Sequence, residues 1–143
     1  MSSTSVLPAT DPAAYPFWTT ERVRYDDLDV IGHVNNKSTL TYFESGRVDF
    51  LLKTGLWVQG ESRQNVVARI EVDYLHELHF PADLRIGLRI LRIGNKSYTI
   101  GSAIFHNDVC INTTEVVMVR LDQITRQALV LNDHERAILQ RYL

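Results

Sequence analysis

The sequence predicts an α+β fold in which an antiparallel sheet wraps round one buried helix. Three observations lead there. Only one long stretch, 36–53, has helical character, and a single long helix cannot build a bundle. Four longer extended segments follow it in succession. No helices alternate with those segments, as the crossovers of a parallel sheet require.

Residues 1–16 are rich in Ser, Thr, Ala and Pro and have no period, so they are expected to form a flexible tail ahead of one domain over 17–143. Residues 17–26 read as a strand, with Val23 and Tyr25 alternating against Arg22 and Arg24. Residues 27–36 break all periodicity and read as a loop. The helix follows, with Leu40, Phe43, Phe50 and Leu51 near one face. Asn35 or Asn36 is the candidate N-cap and Gly55 the candidate stop. Gly46 would cost about 1 kcal/mol against Ala in an exposed helix interior. Close approach of the helix to its packing partner would compensate.

Ala68, Ile70, Val72 and Tyr74 alternate with charged residues, as do Leu84, Ile86, Leu88 and Ile90 with Arg85, Gly87 and Arg89. Both read as strands. Gly94-Asn95-Lys96 reads as a tight hairpin turn. Strands over 97–106 and 111–121 follow, joined near Asn107-Asp108, and a short helix over about 132–142 ends the chain.

Fifteen basic against seventeen acidic residues, net −2, give no general pull toward nucleic acid or anionic lipid. The single cysteine, Cys110, excludes an intramolecular disulfide and any CxxC site, and suits a small core residue in a reducing cytoplasm. No 18-residue apolar run is present, and Met1–Pro16 lacks the pattern of a signal peptide, so a cytoplasmic, non-membrane protein is expected. His76-Glu77-Leu78-His79 falls one residue short of a zinc helix. On a strand its histidines would face opposite ways, so no metal ligand is assigned. Asp26, Asp27 and Asp29 lack the spacing of a calcium loop.

The informative segment is Arg24-Tyr25-Asp26-Asp27-Leu28-Asp29-Val30-Ile31-Gly32-His33-Val34-Asn35-Asn36, between a strand and the start of the helix. A helix N-terminus offers unpaired N–H groups and the positive end of a dipole. A reacting carbonyl placed there could have its oxyanion held by backbone donors, with Asp29 as general base or nucleophile. Asp and Asn ahead of a helix are equally what a cap requires, so chemistry alone leaves both roles open.

Arg24-Tyr25-x-Asp27-x-Asp29-x-x-Gly32-His33-Val34-Asn35-Asn36, followed by Tyr42-Phe43-Glu44-x-x-Arg47, resembles the hotdog-fold acyl-CoA thioesterases, and within them the 4-hydroxybenzoyl-CoA thioesterase-like group. The resemblance covers 20–122 in order of elements. It implies the hotdog fold, a homodimer or homotetramer with sites at subunit interfaces, and an acyl-CoA substrate with no separate cofactor. It gives Asp29 the place of the catalytic carboxylate and the Asn36 backbone N–H that of the carbonyl-polarising group. His33 and Asn35 are implied to orient substrate, water or loop, and Glu44 to lie near the site. Thr39 stands where relatives often have tyrosine, which alters the acyl pocket, and Gly46 where alanine is common. At the hairpin, Lys96 and Ser97 are the candidates for holding the coenzyme. Arg85, Arg89 and Arg92 are further cations, although alternation alone would put Arg85 and Arg89 on a solvated face. The activity expected is acyl-CoA hydrolysis. The alternatives are a hydratase or dehydratase using Asp29 and His33 as an acid–base pair, and a non-catalytic acyl-CoA-binding module.

Overall fold

The computed structural model describes residues 6–143. The elements run β1 (Phe17–Arg22), α1 (Asn36–Thr54), β2 (Arg63–Tyr74), β3 (Asp83–Ile93), β4 (Ser97–His106), β5 (Val109–Asp122) and α2 (Asp133–Gln140). The strands form one antiparallel sheet in the order β1-β3-β4-β5-β2. Helix α1 packs on one face of this sheet, and the α+β hotdog architecture expected from the sequence is the one observed.

Alternation places Leu84, Ile86, Leu88 and Ile90 of β3 on the helix side, where they meet Ile100 and Ile104 of β4, Val116 and Met118 of β5, and Phe43, Phe50 and Leu51 of α1. Gly46 lies at the closest approach. A Cβ there would come within 3.3 Å of Ile86 Cγ2 and 3.6 Å of Leu88 Cδ1. The flexibility cost of a mid-helix glycine is thus offset by close packing, as expected. Asn35 caps α1, its Oδ1 accepting from Lys37 N at 2.9 Å, and Gly55 ends it in the left-handed conformation at φ 82°.

The helix is less enclosed than expected. Leu40, assigned to the buried stripe, is 40% exposed, and Thr39, Tyr42 and Gly46 occupy the buried face beside Phe43 and Phe50. Polar Thr39 and Tyr42 fill part of that face, the Tyr42 hydroxyl bonded to Asp27, so hydrophobicity alone misplaces the stripe.

The first strand stops at Arg22, short of Asp26. Tyr25–Asp27 form a 3₁₀ turn because the Asp27 carboxylate accepts the Arg24 backbone N–H at 2.8 Å, folding the chain out of the sheet. Strand β2 starts earlier than expected, at Arg63, and carries a bulge between Val67 and Arg69. It is an edge strand covered poorly on both faces, so Ile70 and Tyr74 are exposed despite their alternation.

Residues 1–5 of the expected tail lie outside the described residues. From Pro8 on, the tail reading is corrected. Pro12–Ala14 form a 3₁₀ turn capped by Asp11, and Tyr15 is buried on the outer face of the sheet with Ala103, Phe105 and Cys110. Gly87 makes room for it, since a Cβ there would stand 2.6 Å from Tyr15 Cγ. Arg89 is consequently buried rather than solvated, donating to Leu7 O at 2.8 Å beneath the Tyr15 ring. Arg85 remains exposed and stacks on Trp18, 4.1 Å from the ring centroid.

Candidate active site

The segment 27–35 is folded by its own polar groups. Asp29 Oδ1 accepts from Ile31 N at 3.0 Å and from His33 N at 3.2 Å, closing a turn round Gly32, whose φ of 85° suits glycine. Asp29 N donates to His33 O at 2.8 Å. Asp29 Oδ2 receives no hydrogen bond from the described residues. One oxygen holds the loop and the other is uncommitted among the described residues.

Two further bonds seat this loop on the helix. Asp27 O accepts from Asn35 N at 2.8 Å and from the Ser38 hydroxyl at 3.2 Å. The Tyr42 hydroxyl donates to Asp27 Oδ2. Burial, reinforced by that bond, pushes the Tyr42 phenol well above its ordinary pKa, so it stays a donor.

Asp29, His33, Asn36, Thr39, Glu77 and Asn112 are among the residues lining a crevice of about 370 Å³ beside the start of α1. Asn36 is the first helical residue, so its N–H has no acceptor within the helix. Thr39 is 3% exposed, one turn on. The loop carboxylate, the helix start and the buried threonine therefore share one cavity.

Other sequence candidates lie elsewhere. The Asn35 amide oxygen is committed to the helix cap, and the residue is outside the crevice lining. Glu44 is exposed on the outer side of α1, about 12 Å along the axis from Asn36. Lys96 and Ser97 lie at the far end of the sheet. Ser97 pairs with Val119, while Asn112 on the same strand as Val119 lines the crevice, so at about 3.3 Å per residue they are more than about 20 Å from it. Arg85 and Arg89 are engaged by Trp18 and the N-terminal segment, and Arg92 is exposed beyond them on β3.

Three crevice residues are not among the sequence candidates for the site. Asn112 is 2% exposed and its Oδ1 has no hydrogen-bond partner, an unspent acceptor at the crevice. The Tyr74 hydroxyl approaches Asn36 O at 3.4 Å. Glu77 approaches the His33 ring, its Oε2 lying 3.5 Å from Nε2. Only strand pairing between β2 and β5 brings Tyr74 and Asn112 opposite each other, so no local pattern foretells them.

Comparison with known proteins agrees with this architecture. Residues 23–138 match the model of the thioesterase-like superfamily. A structure described as a predicted thioesterase from Bacillus stearothermophilus is 31% identical, with a TM-score of 0.81 over 89% of this chain and 96% of that one. A thioesterase from Thermus thermophilus, complexed with coenzyme A and Zn, is 27% identical, with a TM-score of 0.77 over 90% of this chain and 94% of that one. The uncharacterized protein YsmA of Bacillus subtilis (strain 168) is 27% identical over 128 residues, 88% of this chain and 86% of that protein. With its match running from the end of β1 into α2 and enclosing the whole crevice, the chain belongs to the thioesterase-like superfamily.

Proposed function

We propose that the protein hydrolyses an acyl-CoA thioester to the free acid and coenzyme A, and that it falls nearest the 4-hydroxybenzoyl-CoA thioesterase-like group. The observation that carries this reading is that Asp29, whose Oδ2 has no hydrogen-bond partner among the described residues, lines the same crevice as Asn36 at the helix start. The thioester carbonyl points its oxygen at the Asn36 N–H, where the helix end stabilises the developing oxyanion. Asp29 Oδ2 takes a proton from water as the water oxygen attacks the carbonyl carbon. The C–S bond breaks and the thiolate leaves, taking up that proton. In the covalent version Oδ2 itself attacks the carbonyl carbon, the C–S bond breaks and the thiolate leaves; water then opens the mixed anhydride, which frees the acid, restores the Asp29 carboxylate and supplies the thiolate's proton. Thr39 and Asn112 border the acyl group.

Support for coenzyme A as the carrier comes from the Thermus thermophilus thioesterase, which holds it. A second copy of the chain completes the site in this reading. Strand β2 is an unpaired sheet edge with exposed Val66, Val67, Ile70 and Tyr74, and α1 adds exposed Leu40, Val48 and Leu52. Pairing two such edges puts the crevices beside the joint, where Glu44, Lys96 and Ser97 of a neighbouring copy are free to serve a crevice their own chain does not bring them to. What favours hydrolysis over a hydratase is that Asp29 bonds the backbone of His33 while the imidazole approaches Glu77.

A thiol-release assay over short, long, branched and aromatic acyl-CoAs tests the function. Release of one thiol per acid formed supports it. Binding without thiol release points to the non-catalytic module, and loss of 2-enoyl absorbance without thiol release to the hydratase.

A further inference from the structure

The geometry points to a site for a borderline divalent cation, of which Zn²⁺ is the type, formed by His33, Glu77 and His79. Glu77 Oε2 lies 3.5 Å from His33 Nε2 and 3.5 Å from His79 Nε2, and the three donor atoms all fall within 4.8 Å of one another. The two imidazoles stand edge to face, their centroids 4.8 Å apart.

These separations are too long for N–H···O hydrogen bonds, which run to about 3.2 Å. They fit donors spaced round a shared ion. Atoms bound at about 2.0–2.1 Å in tetrahedral geometry lie roughly 3.3–3.5 Å apart. Two edges of the donor triangle already have that length. The third closes by small side-chain rotations, which partial exposure permits.

Residues 76–79 are not strand, because β2 ends at Tyr74. Leu75 N and His76 N both turn to Ile111 O, at 3.0 and 3.2 Å, and the chain leaves the sheet. Val34 N then donates to Leu78 O at 2.9 Å, which lays 77–79 against the loop carrying His33. The donors thus come from two segments that the backbone itself holds together, and His76 is not among them.

Two imidazoles and one carboxylate suit zinc or its neighbours, whereas magnesium and calcium favour oxygen alone. Three protein donors leave a position of a four-coordinate ion for water. The ion would pin His33, whose backbone N–H holds Asp29 Oδ1, to the segment 77–79. The assignment does not depend on the reaction at Asp29, and its readout is metal occupancy.

The test is calorimetric titration of the chelator-treated full chain with ZnCl₂, and Co²⁺ absorption as a spectral probe. Wild type is expected to take one ion per chain and to ignore Mg²⁺. His79→Ala and Glu77→Ala should weaken Zn²⁺ binding beyond the roughly 10–100-fold lost when a group that only orients a ligand is removed. His76→Ala should bind as wild type. His79→Cys should bind and give Co²⁺ a thiolate charge-transfer band that wild type lacks. The substituted residues, His76, Glu77 and His79, are all exposed, so circular dichroism should match wild type throughout. No saturable Zn²⁺ binding, or equal affinity in His79→Ala and wild type, overturns the assignment.

Discussion

The Tyr42 hydroxyl, from the second turn of α1, is hydrogen-bonded to the carboxylate of Asp27 in the motif loop. That contact joins the two parts of the sequence motif and sets the loop bearing Asp29 against the helix start. It also explains why a tyrosine occupies a buried helix position 1% exposed. Tyr42→Phe deletes the donor and keeps the ring. It should lower stability by about 1.5–3 kcal/mol, the usual worth of a hydrogen bond to a charged group. Urea unfolding should show a lower midpoint at unchanged slope. An unchanged midpoint would remove the contact from its role.

A second anchor lies at the opposite end of the sheet. Glu135 of α2 is 4% exposed, accepts from Arg63 and Arg120, and closes a capping box with Asn132. Burial alone would raise its pKa, but bonds from Arg63, the Asn132 backbone and Arg120 bring it down to about 2. A folded-state pKa below the unfolded value, about 4.3, means stability present in full above that pH and lost as pH falls toward 2. Glu135→Ala leaves Arg120 buried without its carboxylate and should cost about 3–5 kcal/mol near neutral pH. Its deficit should shrink in acid, read as converging thermal midpoints. A deficit constant down to about pH 2 contradicts the ion-pair account.

Gly46 sets how close α1 lies to β3. Gly46→Val drives methyl groups into Ile86 and Leu88 and should destabilise by about 1–3 kcal/mol. Chemical denaturation measures this, and a neutral or stabilising valine would show that the helix moves freely on the sheet.

Cys110 is 7% exposed beneath the N-terminal segment, and burial raises its thiol pKa to about 11. It should react with a thiol reagent at neutral pH far more slowly in the native chain than in denaturant. Deleting residues 1–15 should speed the native reaction, since Tyr15 packs against the same cluster. Equal rates in the full and shortened chains would show that the segment gives no cover.

The edge of β2 carries the oligomer in the proposed reading. Ile70→Lys, at an exposed position on that edge strand, should turn a dimer into a monomer by light scattering and lower thiol release with it. A wild-type chain that is monomeric and active contradicts a shared site.

The fold was legible because its signals are local. Alternation marks β2 and β3, Gly94-Asn95-Lys96 marks the turn into β4, Asn35 and Gly55 mark the limits of α1, and Asp29, Gly32 and Asn36 mark the turn into the helix. The 8–16 segment was not, because Tyr15 packs into a space at Gly87 that is distant in sequence. Leu40 and Ile70 read as buried because hydrophobicity does not distinguish a core position from an exposed one. Asn112 and the His33–Glu77–His79 cluster depend on pairing and chain reversal, which no spacing rule contains.

The most direct measurement is steady-state thiol release by Asp29→Asn beside wild type, with circular dichroism on both. The asparagine Oδ1 can accept the same two N–H groups from Ile31 and His33, so the loop survives while the basic oxygen is lost. Native dichroism with kcat reduced by about 10²–10⁴, the usual worth of a positioned acid or base, is the predicted result. A folded variant turning over at the wild-type rate would contradict the assignment of Asp29.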